Sequence, residues 1–246
     1  MSANIKTTSP STNRVVCELA ATSLQQAKEI AKQSNAAFKS FSRVPLEKRR
    51  EIVVKALALI QERKIELGRE LSEQMGRPIS FSHKEIETMQ KWADYLLEIA
   101  EAALSPIPGR PEPGFKRSIK KIPVGPTLIV FAWNPSPQTP LVVMKEETFG
   151  PVIPVAKVAH DDEAVKLMND TDYGLTASVW TKDIPRGEEL LEQLEAGTVF
   201  LNRCDYPNPD LSWTGWKKSG LGCTLGPRGF DAFVKLKSHH IKENQA

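Results

Sequence analysis

Apolar residues recur at helical spacing through the first hundred positions. Ser23 stands before Leu24, Ala27, Ile30 and Ala31, with Gln26 three residues on, the pattern of a capping box opening a helix. Pro45 sits where a missing N–H costs nothing, and Ile52, Leu59, Ile60, Leu67 and Leu71 follow at a helical period. Gly76-Arg77-Pro78 should end that long helix. Ser82 with Glu85 predicts a second capping box leading into Ile86, Met89, Ala93, Leu96 and Leu97. Ahead of these helices, the β-branched run Arg14 to Leu19 predicts a strand. Met1 to Pro10, polar and rich in Ser and Thr, reads as a disordered leader.

The pattern changes at Ser105. Prolines are dense up to Pro126, which disfavours helix. Pro126 to Asn134 (Pro-Thr-Leu-Ile-Val-Phe-Ala-Trp-Asn) is an apolar run of the kind that forms a fully buried parallel strand. Such a strand should lead into a crossover helix and a parallel neighbour. Here it runs into Pro135-Ser-Pro-Gln-Thr-Pro140, whose three prolines cannot continue that unit. Beyond Pro151 the alternation returns. Strands are predicted at Val152–Val158, Leu175–Thr181 and Thr198–Asn202, with helices opened by Asp161 and spanning Ile184–Leu194. Strands alternating with helices indicate an α/β fold. Phe230 to Lys242 is charged and β-prone, an edge strand able to reach a neighbour.

Composition narrows the function classes. The chain has 246 residues with a formal net charge of +3, a mixed solvated surface that gives no footprint for nucleic acid. No run approaches the length of a membrane span, and the N-terminus lacks the apolar core of a signal peptide. Three cysteines, Cys17, Cys204 and Cys223, without regular spacing argue against a disulfide framework and for a reducing, cytoplasmic setting. The four histidines show no zinc spacing, so no metal site is expected.

Five short segments carry a family resemblance. They are Pro123-Val-Gly-Pro126 followed by Trp133-Asn134; Glu146-Glu-Thr-Phe-Gly-Pro151; Asn169-Asp-Thr-Asp-Tyr-Gly-Leu175; Ala196-Gly-Thr-Val-Phe-Leu-Asn202; and, slightly altered, Lys218-Ser-Gly-Leu-Gly222. In this order they resemble the NAD(P)-dependent aldehyde dehydrogenases. The resemblance covers the chain from about Arg14 onward. It implies an α/β remnant of that fold, with a Rossmann-like cofactor domain, a catalytic domain and oligomerisation strands. It also implies two internal losses. After Asn134 the family's helix and lysine-bearing segment are missing, and after Leu141 Val142-Val-Met-Lys145 joins Glu146 at once.

The organisation expected on this basis is a leader over 1–12 and part of a cofactor domain over 13–134, with a hairpin near 115–121. A junction follows over 135–141, then part of a catalytic domain over 142–229 and an oligomerisation tail over 230–246. The resemblance implies oxidation of a small aldehyde to an acid, with hydride passing to NAD or NADP. In that chemistry a thiolate attacks the carbonyl, a donor stabilises the oxyanion, and a carboxylate activates water.

By resemblance, Asn134 is the oxyanion donor; a capping asparagine at a strand end is the alternative. Glu147 matches the carboxylate that accepts from the nicotinamide-side ribose, and Phe149 the aromatic beside it; otherwise a Glu-Glu pair is a solvated surface. Phe131, Trp133 and Ser136 match positions lining the adenosine half of the cofactor, with core packing equally open. Trp213 matches an aromatic of the aldehyde tunnel, or is a buried aromatic beside a turn. The nucleophilic cysteine, the base glutamate and the phosphate-contacting helix start have no counterpart. An inactive chain is therefore expected, with NAD(P) binding in doubt. The alternatives are a noncatalytic homo-oligomer or partner of full-length homologues, through Phe115–Lys121 and Lys235–Ile241, or a chain that does not fold.

Overall fold

The computed structural model describes residues 4–130 and 155–243. It is built of helices and strands, as an α/β fold requires, and divides into two units: residues 1–127 with 233–246, and residues 128–232.

The first unit opens with β1 (Asn4–Thr8), paired antiparallel with β2 (Val15–Ala20). A strand thus occupies residues expected to be a disordered leader. Its reason lies in the turn, where the backbone N–H of Ser9 donates to Arg14 O at 2.8 Å and Asn13 takes a positive φ of 57°. Asparagine tolerates that left-handed conformation, and the strand polarity that suggested disorder is that of an exposed hairpin.

Helix α1 (Leu24–Phe41) begins as predicted: Ser23 accepts from the Gln26 N–H, and the Gln26 side chain accepts from the Ser23 N–H. The single long helix expected after Pro45 is two, α2 (Leu46–Glu62) and α3 (Lys64–Met75), separated at Arg63, whose ψ of 12° leaves the helical range. Gly76 ends α3 in the left-handed conformation, as glycine at that position does. Helix α4 (Ile79–Leu104) starts ahead of the predicted capping box. Ser82 lies fully buried inside it, its hydroxyl donating to Pro78 O, while Glu85 pairs with Arg77. Pro78, without an N–H to leave unpaired, is the better first-turn residue. At the α3–α4 crossing Gly68 lets the helices meet: a Cβ there would stand 3.3 Å from the His83 backbone nitrogen.

After α4, β3 (Ile107–Pro108), β4 (Phe115–Pro123) and β11 (Val234–Lys242) form an antiparallel sheet in the order β11-β4-β3. Nine residue pairs join β4 to β11, from Val234 opposite Pro123 to Lys242 opposite Phe115. The two segments expected to meet other chains are thus paired with each other.

The parallel strand predicted from Pro126 is not formed over its described residues. Val124–Val130 carry no strand pairing, and Leu128, Ile129 and Val130 are 87%, 62% and 82% exposed. A strand apolar on both faces needs neighbours on both sides and helices above and below. None reaches it among the described residues. The strand predicted at Val152–Val158 is likewise absent over 155–158; its first residues lie outside the described ones.

The second unit contains α5 (Asp161–Asn169), β5 (Tyr173–Gly174), β6 (Thr176–Val179), α6 (Ile184–Leu191) and β7 (Thr198–Leu201). They are followed by β8 (Trp213–Thr214), β9 (Trp216–Lys217), β10 (Cys223–Thr224) and a 3-10 turn at Pro227–Phe233. His160, not Asp161, caps α5, its imidazole accepting from the Glu163 N–H. Strands β6 and β7 pair in parallel, joined by α6, and β5–β9 and β8–β10 are short antiparallel pairs. The buried apolar side chains among the described residues are Leu57, Ala100, Ala103, Leu190 and Leu194, a small core for so many helices.

Candidate functional site

Of the seven residues that sequence reasoning placed at the site, Phe131, Trp133, Asn134, Ser136, Glu147 and Phe149 lie outside the described residues. Trp213 is described. It is half-buried in β8 opposite Thr224, whose hydroxyl donates to Trp213 O at 3.5 Å. The next pair along, Thr214 and Cys223, sets a sulfur beside this short ladder. Cys223 contacts Thr224 O at 3.8 Å, a weak bond. Cys17 stands opposite Thr7 in the N-terminal hairpin, and Cys204 is exposed past the end of β7. Among the described residues, no cysteine sulfur is hydrogen-bonded to a histidine or a carboxylate.

The motif residues of the second unit are brought together, but as a structural knot. Asn169, at the end of α5, donates to Gln193 O at 2.8 Å and accepts from the Glu195 N–H at 2.9 Å. That holds the loop after α6. The Gly197 N–H donates to Gly174 O at 3.1 Å, and the Gly174 N–H to the Ser219 hydroxyl at 2.9 Å. Both glycines are required for space. A Cβ on Gly174 would lie 2.2 Å from Glu195 O, and one on Gly197 1.9 Å from Thr214 O. Lys217 donates to Asn169 O and Thr171 O, at 2.8 and 3.1 Å, and pairs with Glu195 at 2.5 Å. Lys218 pairs with Asp172.

Asn202 ends β7 with a positive φ of 54°. Its side-chain oxygen accepts from the Thr181 N–H at 2.9 Å, and its amide donates to Thr181 O at 2.8 Å. One side chain thereby stitches the C-terminal ends of the two parallel strands. Beside that stitch lies an open depression of about 700 Å³ lined by Trp180, Thr181, Lys182, Ile184 and Asn202. The structural work of Asn169, Gly197 and Asn202 was missed by sequence reasoning. Its only signal was the fixed spacing of Asn and Gly inside the motifs.

The charges here are surface charges. The hydrogen bond and charge of Lys218 hold the Asp172 carboxyl below its ordinary pKa, and Asp172 raises Lys218 in return. Hydrogen bonds to Glu189 and then Asp161 raise Arg186. No group among these is poised as a general base near neutrality.

The knot gathers three separated motifs into one cluster, and the match to known proteins is correspondingly broad. The model of the aldehyde dehydrogenase family matches this chain in two stretches, residues 1–142 and 137–239. The chain belongs to the aldehyde dehydrogenase family. Aldehyde dehydrogenase NAD(P)+ 1 of Saccharomyces cerevisiae is 39% identical over 105 residues, which are 43% of this chain and 21% of that protein. The chloroplastic betaine aldehyde dehydrogenase of Atriplex hortensis is 42% identical over 100 residues, 40% of this chain and 20% of that one. The matched stretch thus spans about a fifth of the length of these curated relatives.

Among solved structures, a double mutant of betaine aldehyde dehydrogenase from Staphylococcus aureus, in complex with NAD+, superposes with a TM-score of 0.85 at 14% identity. The superposition covers 99% of this chain and 93% of that one. An aldehyde dehydrogenase fold for the chain follows. No helix among the described residues is long and apolar enough to cross a membrane.

Proposed function

We propose that this chain is an internally shortened aldehyde dehydrogenase that keeps the two flanks of the family's pocket and does not turn over aldehydes. The observation that carries this is the junction. Trp133-Asn134 runs through Pro135–Lys145 into Glu146-Glu147, and the family match is itself in two stretches that overlap at 137–142.

In this reading Asn134 is the vestige of the oxyanion donor, Glu147 and Phe149 that of the nicotinamide-ribose contact, and Phe131, Trp133 and Ser136 that of the adenosine side. Trp213 belongs to the aldehyde tunnel. The family's chemistry joins a thiolate to the carbonyl carbon, passes hydride to NAD or NADP, and hydrolyses the thioester. Without the family's thiol and base, the covalent step has no nucleophile. Cys17, Cys204 and Cys223 lie in the N-terminal hairpin, beyond β7 and in β10, without a base bonded to any of them among the described residues.

The test is NAD(P)H formation with a panel of aldehydes at high protein concentration. The expected result is no rate above blank. Turnover abolished by replacing any one of the three cysteines with Ser would sink the proposal.

A second reading is favoured by one observation: the β11-β4-β3 sheet is complete. Phe115–Lys121 and Lys235–Ile241, the segments that by resemblance carry family oligomerisation, would then let a cytoplasmic, noncatalytic chain join its own kind or a full-length homologue. Co-purification with such a homologue would support this, and a monomer in its presence would count against it.

A further inference from the structure

The β4–β11 ladder has two unlike faces. Residues directly opposite in an antiparallel pair share a face. On one face Lys121 Nζ donates to Ala103 O at 2.5 Å, at the end of α4, and Phe115 meets the His240 ring at 5.2 Å, while Leu236 is 66% exposed. The other face carries Lys116, Lys120, Lys235 and Lys237, all exposed, with Ile122 and Ile241 at opposite ends, 38% and 48% exposed. Neither strand contains an Asp or Glu. Lys237 lies directly opposite Lys120, with Lys235 on the diagonal. Like charges so placed destabilise a sheet. Among the described residues none of these four lysines has an anionic partner.

We infer that this outer face is a docking surface for an extended polypeptide segment with carboxylates at alternate positions. Lys235 and Lys237 stand two residues apart on one strand, about 6.7 Å by strand geometry. That is also the repeat of same-side carboxylates on an extended acidic segment. The flanking isoleucines supply apolar contacts that a peptide can meet and a phosphate chain cannot. The one ring on this face among the described residues is the half-buried imidazole of His239, short of the row of exposed aromatics on which single-stranded nucleic acid stacks. The inference stands whether or not the chain turns over aldehydes.

The test is fluorescence polarisation of three labelled probes with the full chain. They are a ten-residue peptide alternating Glu and Val, its Gln-for-Glu analogue, and an oligothymidylate of equal charge. The Glu peptide should bind at least tenfold tighter than the Gln analogue and the oligonucleotide, and weaken as salt rises. K237E should lose at least tenfold of that affinity while unfolding at an equal or higher temperature, because it replaces a repelling pair with an attracting one. The inference is overturned by absent binding, by equal binding of the Gln analogue, by oligonucleotide binding as tight as the Glu peptide, or by K237E binding unchanged. Self-association abolished by K237E would assign the face to a second copy and also overturn it.

Discussion

Two apolar stretches in this chain are built of the same residue types and end differently. Strand β7 (Thr-Val-Phe-Leu) is half-buried and pairs in parallel with β6 across α6. The run 127–130 (Thr-Leu-Ile-Val) is exposed and unpaired among the described residues. Intrinsic β-preference cannot separate them, because both are rich in β-branched and large apolar side chains. What differs is the presence of a neighbour. β7 is flanked by Gly197 and Asn202, which fasten it to Gly174 and Thr181. The run at 127–130 is followed within a few residues by Pro135-Ser-Pro-Gln-Thr-Pro140, whose prolines cannot continue a strand–helix–strand unit. A parallel strand is a long-range structure, and its sequence describes only half of it.

The sharpest way to break this comparison is to remove the fastening of β7. Gly197→Ala places a methyl group within 1.9 Å of Thr214 O, and overpacking of that kind costs about 3 kcal/mol. Denaturant unfolding followed by Trp fluorescence should show the loss; an unchanged midpoint would mean that the β7–β8 approach is not as close as described. Asn202→Ala removes two hydrogen bonds and leaves alanine in a left-handed conformation, expected to cost about 2 kcal/mol. Hydrogen exchange at the Thr181 and Asn202 amides should accelerate more than at the α4 amides.

The converse test is Leu128→Ser with Ile129→Ser. Exposed positions tolerate substitution within about 0.5 kcal/mol, and binding of a hydrophobic dye should fall as apolar surface is lost. A loss several times larger would reveal a buried strand. The smallest effect is at the rim of the motif knot, in Asp172→Asn. The Asp172 pKa is lowered in the folded state, chiefly by its hydrogen bond from Lys218. Its contribution is therefore full above the unfolded carboxylate pKa of about 3.9 and fades as pH falls through the depressed folded value. Wild type and variant should converge in strong acid, and a difference that persists there would contradict the pairing.

The N-terminal helices were the most legible part of the chain because their signals are local. Ser23 and Gln26 cap one another within a single turn, and Gly76 stops α3 by its own conformational freedom. The errors are also instructive. Ser82 and Glu85 have capping-box spacing, but Pro78 starts the helix four residues earlier, so Ser82 is buried and Glu85 turns to Arg77. At the candidate site the motifs identified the family. They could not reveal that Asn169, Gly197 and Asn202 hold loops together, because those bonds join residues more than twenty positions apart.

The sequence by itself determined the capping box of α1, the stop of α3 at Gly76 and the family, since each is written in neighbouring residues. Only the tertiary structure decided which apolar runs become strands, that the tail joins β4 of its own chain, and that the lysines of that sheet face outward together. Those outcomes depend on contacts between distant segments, whose closing entropy must be offset by burial and hydrogen bonds that no local pattern records.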